Sequence, residues 1–254
     1  MPFVEFDQSS IYYASIGEGE PILFIHPPGL GHYVFQFQSV LSSRYQLLLP
    51  DLSGHGQSTS VINYNISIVD QYVEEIHQLI QAEGLDRVIL CAYSAGGMIA
   101  QSFCIKYPDK VKGLIVSGGY PKVDTIGLEF MYEIGETLVL QNKNRLAQIL
   151  AYSNSNSHKS YHRLYTHMLQ ANIQHWLKFY YDTHHLNLVP SIKQIQCPAL
   201  FVYGEKADWI NEHRRFYEQQ ANINIVFVHH AFHRVPSKHY YAFNHLITHF
   251  INRL

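Results

Sequence analysis

Charged side chains are scarce in this chain. Asp, Glu, Lys and Arg make up 15% of its 254 residues, and 18 basic against 20 acidic residues leave a formal net charge of -2. No arm or stripe of lysine and arginine is available to track a phosphate backbone, so nucleic acid is not an expected partner. Cysteine is sparse too. Cys91, Cys104 and Cys197 make no disulfide framework, and the first two fall on strand and helix patterns as small buried groups, which suits a reducing, cytoplasmic compartment. No stretch approaches the roughly 18 uninterrupted apolar residues of a membrane span. The opening Met1-Pro2-Phe3-Val4-Glu5 lacks the basic-then-apolar order of an export signal. What remains is a chain with 47% apolar residues, long enough to bury a full core in one large domain or two small ones.

Histidine, by contrast, is abundant, with 17 copies. His158, His162 and His167 fall on part of one helix face, and His184-His185 and His229-His230 are adjacent pairs. No compact His/Cys/Asp set has the spacing of a closed zinc site, and no His-Glu-x-x-His helix occurs, so neither a metal nor an organic cofactor is expected.

Short apolar runs at residues 4–6, 11–15, 21–25, 46–49, 87–91, 111–116, 199–203 and 223–228 read as strands. Residues 68–81, 95–107, 211–220 and 237–252 read as helices between or after them. Continuous apolar strands alternating with amphipathic helices imply an α/β fold with a mostly parallel sheet covered on both faces. In such a sheet, ligands sit outside the C-terminal ends of the strands. The alternation breaks between about Lys122 and Val189, where residues 127–141, 144–152 and 158–181 read as helices. A helical insertion there is placed to act as a lid. Its aromatic and methionine residues, among them Met131, Tyr132, Trp176, Phe179 and Tyr180, are expected mostly to hold the lid together, with a subset lining a pocket.

Ala92-Tyr93-Ser94-Ala95-Gly96 places a hydroxyl between small residues where a strand turns directly into a helix. The residues two before and two after such a serine must be small, or the two elements collide. A serine hydroxyl needs a base, and the base needs an orienting acid. His233, between the last strand and the last helix, is the best base, ahead of His229 and His230. Asp208, after a strand ending at Gly204, is the best acid, with Glu205 and Asp124 as rivals. The order Ser94, Asp208, His233 is that of sheet hydrolases with this elbow. The Ala95 amide, at a helix N-terminus, is one expected oxyanion donor. A second is expected from the 27–30 loop, where Pro27 and Pro28 lack an N–H and Gly29 or Leu30 must supply it. Residues 51–58 (Asp-Leu-Ser-Gly-His-Gly-Gln-Ser) read as a rigid turn bracing the loop that carries His26 and Pro27. Met98 and Met131 are expected in packing.

With these residues in hand, the chain resembles the α/β-hydrolase fold superfamily, in its serine-nucleophile members with a small helical cap. The matching stretches are His26-Pro27-Pro28-Gly29, residues 51–58, Ala92-Tyr93-Ser94-Ala95-Gly96, Gly204-Glu205-Lys206-Ala207-Asp208 and Ala231-Phe232-His233. The resemblance implies a sheet of about eight strands, with residues 1–120 and 191–254 as core and 121–190 as cap. It implies Ser94 as nucleophile, Asp208 as acid and His233 as base, and it aligns Pro28 with the usual second oxyanion donor. Four departures stand out: Ala92 and Phe232 replace glycines, Pro27-Pro28 replaces a glycine and an amide donor, and Ala207 is one extra residue before Asp208.

The expected activity is hydrolysis of a small, mainly apolar carboxylic ester through an acyl-enzyme. Carbon–carbon bond hydrolysis by the same triad is an alternative, as is a small-molecule receptor or signalling protein with slow hydrolysis. A small-molecule substrate is the expected partner, and the protein is expected to be a monomer or homodimer.

Overall fold

The structure is a computed structural model that describes residues 3–6 and 8–254, and of Asp208 the backbone only. The strands are β1 (Phe3–Phe6), β2 (Ser9–Ile16), β3 (Glu20–Ile25), β4 (Tyr45–Pro50), β5 (Val88–Tyr93), β6 (Val111–Ser117), β7 (Ala199–Gly204) and β8 (Ile223–Val228). They form one sheet in the order β1-β2-β4-β3-β5-β6-β7-β8. β2 is antiparallel to both of its neighbours, and β3 through β8 run parallel. All eight expected strands are present; central strands such as β5 and β7 are continuous buried runs of the kind a doubly covered sheet requires, whereas β1, β2 and β8 are only partly buried.

Alternation along the strands divides the core in two. Leu90 and Ala92 of β5 face α1 (Ile68–Ala82) and α2 (Gly96–Lys106). Ile89, Cys91 and Tyr93 face the other way, onto the 3-10 segment His32–Ser43 and α8 (Tyr240–Ile251). α1 begins where the Ser67 hydroxyl accepts the Asp70 N–H, and it buries Ile68, Val69, Tyr72, Val73, Ile76, Leu79 and Ile80 as one stripe.

Between β6 and β7 the chain inserts α3 (Ile126–Ser153), α4 (His158–Leu169) and α5 (Ile173–His185). Boundaries here differ from the sequence expectation. Helices expected over 127–141 and 144–152 are one element kinked at Asn142 (φ -159°, ψ 72°), whose side chain accepts the Arg145 N–H. The single helix expected over 158–181 is broken before Ile173, where the Asn172 side chain caps α5 by accepting from the N–H groups of Gln174 and His175. The helix expected over 211–220 is a short turn, α6 (Asp208–Asn211), followed by the 3-10 segment Glu212–Phe216. The last helix is likewise preceded by a separate turn, α7 (Val235–Lys238).

The strand order positions the site. From β3 the chain crosses to β4 on one side, and β5 then pairs with β3 on the other. Loops leaving the C-terminal ends of β3 and β5 therefore diverge and open a crevice between them.

Candidate active site

Ser94 stands at the end of β5 with φ 53°, a left-handed conformation that among the described residues only His230 shares outside glycine. Such strain persists when the surroundings over-determine it. Here the Ser94 N–H donates to Ser117 O at the end of β6, and its carbonyl accepts the Gly97 N–H, both at 2.8 Å. The turn is tight enough that a Cβ on Gly96 would lie 2.5 Å from the Ile25 carbonyl oxygen. At the first small position the Ala92 methyl is fully buried among apolar neighbours, so glycine is not required there.

His233, after β8, meets Ser94 from the far side, with Nε2 3.0 Å from Ser94 Oγ. Its ring sits between those of Tyr93 and Trp209, at centroid distances of 5.2 and 5.5 Å. Gly118 leaves it room, because a Cβ there would approach Nδ1 to 2.5 Å. Burial, and then the adjacent Arg234 guanidinium, lower His233 to about 3. The imidazole is therefore neutral near pH 7 and able to accept a proton. A carboxylate at Nδ1 would act in the opposite direction.

Asp208 opens α6 beside Trp209, and its side chain lies outside the described residues. The rival acids are engaged elsewhere. Glu205 Oε2 accepts from His229 Nδ1 at 2.8 Å and from the His230 N–H at 2.9 Å, all at the exposed surface. Asp124 pairs with Lys122 and Arg215. Of the rival bases, His229 is thereby tied to Glu205 through its ring and His230 through its backbone N–H, on the exposed surface away from Ser94.

The oxyanion side departs from expectation. The Ala95 N–H has no partner among the described residues and remains free. Pro28 has no N–H to offer, and the Gly29 N–H donates to His55 Nε2 at 2.9 Å, which removes it as a free donor. The Leu30 N–H turns back to Pro27 O at 3.4 Å. Another donor is close at hand. The Tyr120 phenol, in the loop after β6, lines the same cavity as Ser94. It also pairs with Tyr132 at 2.8 Å, and Tyr132 donates to Thr183 Oγ1 at 3.1 Å. Tyr120 is absent from the sequence-based candidates. Its position beyond a strand's C-terminal end, after Gly118-Gly119, is the only signal that points to it.

The 51–58 turn braces this loop through histidine. His26 Nδ1 donates to Pro27 O at 2.9 Å, and Nε2 accepts the Leu52 N–H at 3.0 Å. His55 reciprocates from the other loop, through its bond to Gly29. Burial lowers His26 to about 4 and His55 well below its ordinary range, which keeps both neutral and their acceptor nitrogens available. Asp51 Oδ1 takes three donors: the His32 N–H at 2.8 Å, and His32 Nδ1 and His167 Nε2, both at 2.9 Å. These side chains are close enough to hold a cation between them, as are the exposed Glu205, His229 and His230. As built, the buried set is a hydrogen-bond clamp joining α4 to the core.

A cavity of about 110 Å³ opens on Ser94, roofed by Leu128, Met131 and Tyr132 of α3 and Tyr180 of α5. Met131 thus lines the cleft rather than only packing, whereas Met98 lies in the core. Trp176, Phe179 and Met168 are fully buried within and beneath the insertion.

The sequence model of the alpha/beta hydrolase fold matches residues 20–237. The chain belongs to the α/β-hydrolase superfamily. Among curated α/β-hydrolase relatives, it is 32% identical over 108 residues to epoxide hydrolase 2 of Siraitia grosvenorii, covering 42% of this chain and 34% of that one. It is also 32% identical over 112 residues to the pimeloyl-[acyl-carrier protein] methyl ester esterase of Wigglesworthia glossinidia brevipalpis, covering 43% and 40%. The chain thus matches only about a third to two-fifths of the length of these relatives. An esterase from Exiguobacterium antarcticum superposes with a TM-score of 0.85 at 17% identity, over 96% of each chain. No helix among the described residues is long and apolar enough to cross a membrane.

Proposed function

We propose that this α/β-hydrolase is a serine esterase that cleaves short-chain carboxylic esters through an acyl-enzyme, with residues 121–190 as its lid. The observation that carries this reading is a neutral imidazole nitrogen 3.0 Å from the hydroxyl of a strained serine. Ser94 Oγ attacks the carbonyl carbon while His233 Nε2 takes its proton and then gives it to the departing alkoxide. Water, deprotonated by the same nitrogen, attacks the acyl-enzyme and releases the acid, restoring Ser94. Asp208 accepts a hydrogen bond from Nδ1–H, without taking the proton, and holds the tautomer. The elimination of Glu205 and Asp124 supports this assignment.

The developing oxyanion is held by the Ala95 N–H and the Tyr120 hydroxyl. A phenol replaces the backbone amide that Pro28 lacks and that Gly29 has given to His55. The Tyr120–Tyr132–Thr183 chain consists of hydroxyls, each able to donate or accept, so the Tyr120 proton can turn toward negative charge without leaving a buried group unpaired. The cavity at Ser94 is small beside the roughly 300–1,000 Å³ of pockets for drug-sized ligands. That size favours acetyl over long acyl groups.

p-Nitrophenyl acetate and butyrate test the reading directly. A burst of nitrophenol stoichiometric with enzyme, faster for acetate and abolished in Ser94→Ala, is expected. Absence of turnover in the wild type, or an unchanged rate in Ser94→Ala, would overturn it.

A further inference from the structure

Beyond the small cavity, the cleft continues into an open groove of about 940 Å³ between the α3–α4 junction and α7. Arg234 lines both spaces and stands where they join. Further out come Lys238, His239 and His158, together with the polar side chains of Ser153 and Asn156. Among the described residues neither space is lined by an aspartate or glutamate. The guanidinium of Arg234 has no ion-pair or hydrogen-bond partner there. Its positive charge reaches three neighbours: burial raises Tyr93 and Arg234 offsets part of that rise, whereas burial lowers His233 and Lys238 and Arg234 adds to it. A mildly acidic protein with few charges has therefore placed Arg234 and Lys238, the latter donating to the Ser155 carbonyl, and no described anion, along a groove that leads to the serine.

We propose that this groove receives the alcohol portion of the ester and that Arg234 binds an anionic oxygen group on it, a carboxylate or a phosphate. The inference rests on the serine-esterase reading and divides the substrate into two parts. The acyl group is short and fits the cavity at Ser94, whereas the leaving alcohol is longer and negatively charged. Arginine suits that task because its planar donors pair two oxygens of a carboxylate or phosphate at once. Cleavage then leaves a hydroxy-acid or hydroxy-phosphate whose charge lies at the open end, where water can solvate it on release.

Three acetate esters of matched shape test the assignment: 4-acetoxybenzoate, 4-acetoxyphenyl phosphate and the neutral 4-acetoxybenzamide. kcat/KM for at least one anionic ester should exceed that for the amide by about tenfold, carried mainly by KM, and should fall as salt is added. Whichever anion gains more identifies the group. In Arg234→Gln the ratio of anionic to neutral rates should collapse toward one, and Lys238→Gln should reduce it less. Equal rates on all three esters in the wild type, or a preference that survives Arg234→Gln, overturn the proposal and leave the esterase reading standing. If the wild type hydrolyses none of them, the esterase reading fails instead. Calorimetric binding of 4-acetoxybenzoate and of the amide to Ser94→Ala then decides on the groove alone: tighter anion binding supports the groove, and equal or no binding overturns it.

Discussion

Two groups of histidines flank the same crevice, and they differ in how their nitrogens are used. In the 26–55 group every ring nitrogen of His26 and His55 is committed to backbone, each Nδ1 to a carbonyl of its own loop and each Nε2 to an N–H of the facing one. His32 and His167 close on one carboxylate oxygen of Asp51. These rings stiffen two loops, and His26 and His55 have no nitrogen left for a substrate. His233 is lowered in its proton affinity by the same cause, burial, yet its Nε2 faces a hydroxyl and opens on a cavity. Burial alone therefore does not distinguish a structural histidine from a reactive one. The identity of the partner does: a backbone amide fixes the ring, whereas a serine oxygen can exchange a proton with it.

That contrast can be broken most severely at the serine. Ser94→Ala is expected to lower kcat by at least about 10⁴-fold, measured with p-nitrophenyl acetate, with a melting temperature close to that of the wild type. Asp51→Ala should do the reverse. It strands three buried donors and should cost about 3–5 kcal/mol in urea unfolding, with turnover per folded molecule falling far less. A melting temperature unchanged in Asp51→Ala would show that the clamp is dispensable.

A third test lies behind the brace, at Glu75, which accepts from Ser53 and is raised by burial from its ordinary 4.5 to about 7. Between those values the native carboxyl keeps a proton that the unfolded chain has lost, so stability falls as pH rises from 4.5 to 7. Glu75→Gln should remove this loss. It should be more stable than wild type at pH 8 by at most about 3 kcal/mol, with the gap closing near pH 5, in paired denaturation curves. His26 works in the opposite direction, losing stability as pH falls below 6.5 toward its native value of about 4. The smallest effect is expected at Tyr120→Phe, a 10- to 100-fold drop in kcat with little change in KM. An unchanged kcat would return the second oxyanion donor to the Leu30 amide.

The sheet is legible in the sequence because its central strands are continuous apolar runs, and the Ser94 elbow because steric crowding demands small residues at fixed offsets. His233 is legible from chain order alone, and the structure brings it to Ser94. The 3-10 segment His32–Ser43 gives a weaker sign: Val34, Gln38 and Leu41 stand four and three residues apart, as on one helix face, but the middle one is polar and the helix breaks at Phe35. The break between α4 and α5 is hidden for a related reason: Asn172 marks it only once its side chain is seen to cap the next turn. Tyr120 and Arg234 carry no local signature. They matter through what distant strands and loops bring beside them, and a single sequence does not encode that proximity in its spacing.

On the esterase reading proposed above, the clamp on Asp51 also sets how material reaches the serine. His167 anchors α4 to the core, and Trp176 of α5 seats directly against Gly29. The lid is thus fastened along the edge above the β3 loop, and opening that edge would expose a buried carboxylate. Traffic is left to the opposite edge, where α3 overhangs the groove and Met131 and Tyr152 reach solvent. Among the described residues entry and exit would then share that edge, so a bulky product would have to clear it before the next substrate entered.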